Sequence, residues 1–219
     1  MESSSGSRRK SGIGVLLIVL AVAVLAAPFG ITAHHFGDIF NDAGRSLDIL
    51  HSLAALIAIS FLFLDVVTGS FRPLLARIFR QPVIYSAHVF FGVAGLSFAV
   101  THFVLLIPHF SEYLEKYNRA LILLGALTLV LLPATIATAL LPRRFSKSWR
   151  LLHIANYFIF FIAVTHALAI GQDNDMLAFK LLMYGYLVVA LSGLAYRAVS
   201  THEWKQFRSP GAARTKEAT

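Results

Sequence analysis

The chain has 219 residues, of which 57% are hydrophobic and 14% are charged, and its mean hydropathy is +0.71. This composition lies outside the range of soluble globular domains and indicates an integral membrane protein. The chain contains no cysteine, which excludes disulfides, iron–sulfur clusters, thiolate zinc sites and cysteine nucleophiles. Any metal chemistry must therefore rest on imidazole or carboxylate groups, and the nine histidines become the residues to explain.

Six apolar runs are long enough to cross a bilayer as helices, which takes about 20 residues. In chain order they are Ile13–Ala33, Leu47–Gly69, Val83–Ile107, Ala120–Leu141, Leu151–Gly171 and Met176–Val199. The predicted fold class is all-α, an integral membrane bundle of six transmembrane helices over residues 13–199, with polar tails at 1–12 and 200–219. Pro28 and Pro133 fall inside the first and fourth runs, where packed membrane helices tolerate a kink.

The first run also has features of a secretory signal peptide. Arg8, Arg9 and Lys10 precede an apolar stretch that ends in Leu-Ala-Ala-Pro. The run is long for a signal sequence, and Pro28 follows directly after the only plausible cleavage site. We therefore expect a retained helix.

The lysines and arginines are distributed unevenly between the two faces of the predicted bundle. Fifteen of nineteen lie before the first run, between the second and third, between the fourth and fifth, or from Arg197 at the end of the sixth run onward. The opposite face has Arg45, Lys116, Arg119 and Lys180. The positive-inside rule therefore predicts a multi-pass protein of the plasma (inner) membrane with both termini in the cytoplasm. Because the net charge of +8 is divided among four segments that flank lipid, we expect no nucleic-acid partner.

Four histidines lie inside apolar runs, where lipid penalises a polar group without a partner. His88 and His102 are 14 residues apart in the third run, and His153 and His166 are 13 apart in the fifth. At 1.5 Å per residue, each pair spans about 20 Å of helix. The third and fifth runs cross in the same direction, so His88 is expected at the depth of His153 and His102 at the depth of His166.

Facing pairs of neutral imidazoles in an apolar bundle are what a six-coordinate b-type haem requires. Haem ligation would give each histidine a partner and leave its second ring nitrogen for a carbonyl or hydroxyl group. Hydroxyl candidates are Ser86, Ser97, Thr101 and Thr165. Small residues that could let a flat macrocycle approach are Gly92, Ala94, Gly95, Ala155, Ala163 and Ala167. The alternative is that these histidines form hydrogen bonds between helices.

The 13-residue spacing does not return to the same helix face. At 100° per residue, 14 positions leave an offset of about 40°, whereas 13 leave about 140°. The fifth helix therefore needs either a local change of pitch or two ligands that point at differently placed haems.

Two segments resemble the ferric reductase-like transmembrane domain, the haem-carrying part of ferric-chelate reductases, NADPH oxidases and the membrane subunit of the bacterial periplasmic methionine sulfoxide reductase system. Phe145–Gly171 (FSKSWRLLHIANYFIFFIAVTHALAIG) is similar to the family's Trp–x–x–Leu–His helix, with a second His 13 residues on. Tyr85–Leu106 (YSAHVFFGVAGLSFAVTHFVLL) repeats the pattern of a His, a nearby Gly and a second His 14 residues on. The resemblance covers roughly residues 44–196.

The resemblance implies four axial ligands and two b haems. His88 and His153 would hold the inner haem, and His102 and His166 the outer haem. Larger family members continue into flavin and nicotinamide domains, but only about twenty polar residues follow the sixth run and no G-x-G-x-x-G occurs. We therefore expect a flavin only through a partner, and a separate flavoprotein or quinol as the electron donor.

The sequence implies a transmembrane electron conduit, an oxidoreductase component that passes electrons to an acceptor outside the membrane, such as ferric iron, oxygen or a periplasmic enzyme. Two alternatives remain open: a non-redox metal transporter that uses histidine sites, and a cytochrome b subunit of a quinone-linked respiratory complex. The scarcity of carboxylates inside the runs counts against a path for divalent ions.

Several other polar residues are secondary candidates. Asp65, inside the second run, is expected to be paired or to reach the interface. Histidines predicted near the outer face, which could bind metal or be ordinary interfacial residues, are His34, His35, His51 and His109. Arginines that could contact propionates of the inner haem are Arg72, Arg77, Arg80, Arg143, Arg144 and Arg150.

Overall fold

A computed structural model describes the backbone of residues 3–38, 43–140 and 146–207, and the side chains of residues 11–37, 46–137 and 154–200. All regular secondary structure within these ranges is helical, which confirms the predicted all-α class. The helices are α1 Ser3–Thr32, α2 Ala43–Ser70, α3 Arg72–Leu75, α4 Gln81–Leu106, α5 Phe110–Lys116, α6 Arg119–Leu140, α7 Ser146–Ile170 and α8 Leu177–Phe207. Short 3-10 helices occupy Ala33–Asp38 and Ile107–His109.

Five helices, α1, α2, α4, α6 and α8, are long and apolar enough to cross a membrane. The fifth predicted run corresponds to α7, whose apolar part with described side chains, Ile154–Ile170, is shorter than these spans. The count of six spans therefore stays a prediction. Two helices extend into the predicted tails: α1 begins at Ser3 rather than Ile13, and α8 continues to Phe207 rather than Val199. Most residues added to α8 have adequate helix propensity, so a polar composition does not end the helix there.

Both internal prolines lie inside continuous helices, as expected. Pro28 is part of α1 and Pro133 is part of α6. The Thr32 hydroxyl donates to the Pro28 carbonyl at 3.0 Å, and the Thr135 hydroxyl donates to the Leu132 carbonyl at 2.8 Å. Both bonds run from a threonine hydroxyl back to a carbonyl of its own helix, which satisfies the hydroxyl inside the apolar bundle.

Helix α2 is the central element of the bundle. In the most apolar stretch of α2, 78% of the residues are buried, whereas only 6% are buried in that of the span containing α4. Helix α2 packs against α1, α4, α7 and α8. Phe63 stacks on Tyr186 of α8 with ring centroids 4.1 Å apart, and the Tyr186 hydroxyl lies 3.0 Å from Ser60 Oγ. Ser70 Oγ lies 2.6 Å from the Tyr157 hydroxyl of α7. These buried polar groups are paired across helices, as stability in an apolar interior requires.

The outer surface of the bundle is strongly apolar. Large side chains that are more than half exposed include Val15, Phe90, Val130 and Leu177. Soluble monomers rarely expose so much apolar area, whereas lipid-facing helices do so routinely. The long apolar helices and this surface together indicate a membrane protein.

Two glycines of α4 allow it to approach α2 closely. A Cβ atom at Gly95 would lie 2.8 Å from Leu62 Cδ2, and one at Gly92 would lie 3.3 Å from Asp65 Oδ1. The expectation that Gly92 and Gly95 make room for a haem is therefore wrong. They face α2 because the close packing of two helices, rather than of a helix and a macrocycle, requires the missing side chains.

Candidate functional site

A cavity of about 180 Å³ lies between α2, α4, α6 and α7. His102 of α4 and His166 of α7 both line it. His102 lies four residues before Leu106, the last residue of α4, and His166 lies four residues before Ile170, the last residue of α7. The structure thus brings together the two histidines that were predicted at equal depth, at one end of the bundle that we call the His102 end.

The two rings are held in the same way by backbone carbonyls of neighbouring helices. Nδ1 of His102 lies 2.8 Å from the carbonyl oxygen of His51 on α2, and Nδ1 of His166 lies 2.7 Å from the carbonyl oxygen of Leu121 on α6. A carbonyl can only accept, so Nδ1 carries the proton and donates in both rings. Nε2 is then the unprotonated nitrogen with a lone pair for a metal. Within the described residues, neither Nε2 has a hydrogen-bond partner.

The helices that carry these histidines do not pack closely against each other within the described residues. Helix α4 packs mainly on α2, and α7 packs mainly on α6. The space between α4 and α7 at the His102 end is the cavity, and several side chains that line it are small, including Ala99, Ala126, Ala163 and Ala167. Ala163 and Ala167, two of the small residues predicted to let a macrocycle approach, therefore line the same cavity as His166.

Gly125 of α6 is a site residue that the sequence did not reveal. A Cβ atom at position 125 would lie 2.5 Å from Cε1 of His166 and 2.9 Å from its Nδ1 and Nε2. Only glycine leaves room for the imidazole at this position. The glycine is a single residue in an apolar run, and nothing in its local sequence shows that α7 places a ring against it.

His51 also lines the cavity, but both of its ring nitrogens have other partners. Its Nε2 is 2.7 Å from the Tyr113 hydroxyl, and its Nδ1 is 3.4 Å from Ser52 Oγ. Its ring meets that of His102 edge-on, with centroids 5.3 Å apart. His51 therefore supports His102 through its carbonyl and its ring edge, rather than presenting a nitrogen to the cavity.

Asp65 holds His88 toward the opposite end of α2 and α4. Nδ1 of His88 lies 2.7 Å from Asp65 Oδ1 and 3.1 Å from the Asp65 carbonyl oxygen. Arg197 of α8 donates to the Gly69 carbonyl at 2.9 Å, which places a cation in the same region. The expectation that Asp65 is paired agrees with this geometry. A carboxylate that accepts from the Nδ1–H group of a histidine orients that ring and increases its basicity as a ligand.

His153 lies on α7, and its side chain falls outside the described residues. Helix α7 is a continuous α-helix from Ser146 to Ile170, so the local change of pitch considered for this helix is absent. In a regular helix, His153 and His166 emerge about 140° apart around the axis. Of the two possibilities raised by the 13-residue spacing, the regular helix leaves the one in which positions 153 and 166 lie on different faces of α7.

The predicted hydroxyl and arginine partners have different contacts. Ser97 donates to the Val93 carbonyl, and Thr101 donates to the Ser97 carbonyl, so both hydroxyls bond within α4. Carbonyls of neighbouring helices hold the rings instead, because they lie directly opposite Nδ1. Arg72 donates from Nε to Gln81 Oε1 at 3.0 Å. The side chains of Arg143, Arg144 and Arg150 lie outside the described residues.

Comparison of the chain with protein-family models, with curated proteins and with solved structures finds no match. The similarity of Tyr85–Leu106 and Phe145–Gly171 to the ferric reductase-like domain therefore stays a prediction from sequence. The site must be interpreted from its own geometry.

Proposed function

We propose that the protein conducts electrons across a membrane through two b-type haems, each held by two histidines. The observation that carries this proposal is the pairing of His102 and His166 at one cavity, with both Nδ1 atoms bonded to carbonyls of other helices. An axial ligand needs a neutral imidazole with a free Nε2 and a fixed ring plane. Interhelical hydrogen bonding alone would not require that two such nitrogens share a cavity.

The two imidazoles and the apolar lining at the His102 end suit the chemistry of a haem as an outer group. His102 and His166 would supply two imidazole nitrogens to the iron, and the apolar lining would keep water from it. When bound, a haem would accept and release one electron at a time, and the chain would supply ligation and an apolar sleeve. His51 and Leu121 hold the ligand rings through main-chain atoms, so little reorganisation would accompany electron transfer.

For the inner group we assign His88 and His153 as ligands. The support is the Asp65–His88 pair, which is the carboxylate–histidine arrangement found behind metal ligands. The spacing of the partners on α2 also supports this assignment. His51 and Asp65 are 14 residues apart on α2, and the histidines they contact on α4, His102 and His88, are 14 residues apart as well. One helix therefore orients both α4 histidines in the same manner, about 20 Å apart.

Donor and acceptor follow from the expected topology. With six spans and both termini in the cytoplasm, His88 would lie on the cytoplasmic side and His102 on the outer side. A cytoplasmic flavoprotein or a membrane quinol would reduce the inner haem, and an acceptor outside would oxidise the outer haem. An inside-negative potential favours this direction by about 2.3 kcal/mol per 100 mV for a full crossing.

The test is the pigment of the purified protein. We expect full-length protein in mild detergent to give a b-type reduced-minus-oxidised spectrum with about two haems per chain. His102→Ala and His166→Ala should each retain about one haem, whereas the control His109→Ala should retain both. Circular dichroism and gel filtration verify that each variant is folded. A folded, monodisperse and colourless wild-type protein would overturn the proposal.

A transport path for metal ions has less support. The cavity between His102 and His166 is lined mainly by aliphatic and aromatic side chains, whereas a transport path needs successive polar ligands. Metal uptake by proteoliposomes that contain no haem would favour the transporter.

A further inference from the structure

Three residues from two distant parts of the chain meet at the His102 end. His34 and His35 belong to the 3-10 helix Ala33–Asp38 after α1, and Asp173 follows α7. One ligand atom from each of these residues lies within 4.8 Å of the other two. Asp173 also lines the cavity that contains His102 and His166. No role in the proposed electron path requires these three residues.

The distances favour ligands around an ion over direct hydrogen bonds. Nε2 of His35 lies 3.4 Å from Asp173 Oδ1, and Nε2 of His34 lies 3.9 Å from the same oxygen. Ligand atoms about 2.1 Å from a tetrahedral metal ion are separated from one another by about 3.4 Å. The His35 nitrogen lies at this separation from Asp173 Oδ1, the His34 nitrogen lies at 3.9 Å, and all three ligand atoms are within 4.8 Å of one another, so a small adjustment would bring them around one ion.

The buried carboxylate supplies a second, independent observation. The Asp173 side chain is only 3% exposed, and its Oδ1 atom has no hydrogen-bond partner among the described residues. A buried carboxylate oxygen without a hydrogen bond is costly, and a cation is the group that would compensate it. Both histidine Nε2 atoms lie beside this same oxygen, so the site to be filled is well defined.

The ring of His34 is already oriented as a metal ligand. Its Nδ1 lies 2.8 Å from the Ile31 carbonyl oxygen, so Nδ1 donates and Nε2 is left as the acceptor nitrogen. The His34 and His35 side chains are 47% and 35% exposed, which leaves the site open to solvent while its carboxylate is buried. An ion can therefore enter from the aqueous side and keep water on its remaining coordination positions.

We propose that His34, His35 and Asp173 form a mononuclear site for a divalent transition-metal ion. Two imidazoles and one carboxylate suit Zn²⁺, Fe²⁺ and related ions, and they suit Ca²⁺ or Mg²⁺ poorly because those ions prefer oxygen ligands. With three protein ligands, the ion keeps open positions for water or another molecule. The site is independent of haem, so it stands or falls separately from the proposed electron path.

Zn²⁺ and Co²⁺ are the probes for this site. Full-length protein is purified in detergent with an affinity tag that contains no histidine, and Zn²⁺ binding is measured by titration calorimetry. We expect about one tight site per chain with a dissociation constant in the micromolar range or below. Co²⁺ at the same site should give visible d–d absorption that Zn²⁺ abolishes and Ca²⁺ leaves unchanged.

Variants assign the site to these residues. His34→Ala, His35→Ala and Asp173→Asn should each weaken Zn²⁺ binding at least about tenfold, because each removes one ligand. The matched control is His109→Ala, which removes a histidine of the same end whose Nδ1 lies 3.6 Å from Glu112. Haem content should be unchanged in His34→Ala and His35→Ala. Absence of Zn²⁺ binding by wild-type protein, or equal binding by wild type and all three variants, would falsify the proposal.

Discussion

The imidazole of His166 lies directly against the α-carbon of Gly125, so that a methyl group at position 125 would stand 2.5 Å from Cε1 of the ring. The ring is fixed from the same helix, because Nδ1 of His166 donates to the Leu121 carbonyl one turn earlier on α6. Helix α6 therefore both makes space for this histidine and orients it. The candidate site depends on a residue that has no side chain.

Gly125→Ala should displace His166 from the cavity without removing it. Because the methyl group and the ring cannot occupy the same space, we expect loss of about one haem per chain or a marked shift in the spectrum of the outer haem. The haem-to-protein ratio measures this. The control is Gly185→Ala on α8, where an added Cβ meets nothing within 4 Å, and which should retain full haem content. If Gly125→Ala binds haem as wild type does, His166 is not an axial ligand in the orientation described.

Asp65→Asn should change the properties of the inner haem rather than abolish its binding. The amide keeps the size of the carboxylate but removes its negative charge, so His88 becomes a less basic ligand. We expect haem affinity to fall by about tenfold or more, and the reduction potential of one haem to rise. Spectroelectrochemical titration separates the two haems.

The matched control for this substitution is Asp48→Asn. Asp48 is on the same helix and lies 3.9 Å from His51, but its side chain is 38% exposed. Its substitution should leave both potentials close to wild type. An unchanged pair of potentials in Asp65→Asn would show that His88 does not ligate a haem through its Asp65-supported ring.

The absence of cysteine makes the topology directly testable. Single cysteines at Arg77, after α3, and at Glu115, in α5, would be the only thiols in the chain, and both positions are exposed. The charge distribution predicts that Arg77 faces the cytoplasm and Glu115 the outside. In intact cells, a membrane-impermeant maleimide should label Glu115→Cys and not Arg77→Cys, whereas both should react after lysis. The reverse labelling would invert the predicted orientation, and labelling of both in intact cells would exclude a membrane between them.

Much of the helical architecture could be predicted because it follows from a local property. Runs of about 20 apolar residues specify spanning helices, and the helices begin and end within a few residues of most predicted limits. The exceptions are the ends at Ser3 and Phe207, where polar residues continue a helix that apolar composition alone would end earlier. Composition reports which residues lipid favours, and helix propensity decides where the backbone stops being helical.

The partners of the histidines could not be predicted, because they depend on contacts between distant parts of the chain and not on a local property. His102 is held by the carbonyl of residue 51 and His166 by that of residue 121, and every residue has a carbonyl, so no sequence signal marks these two. The close approach of Gly92 and Gly95 to α2 could not be predicted, because the spacing of the two glycines does not show which helix they face. Asp173 was not singled out because the histidines that approach it are more than a hundred residues earlier in the chain.

The main-chain support of His102 and His166 has a consequence for how this protein tolerates mutation. A side chain can be exchanged at position 51 or 121 while the carbonyl that orients the ring remains. Substitutions at these two positions therefore leave the main-chain support of His102 and His166 in place. His88 is oriented in part by a carboxylate that a single nucleotide change can remove. Substitutions could therefore change the surroundings of His88 while those of His102 and His166 stay constant.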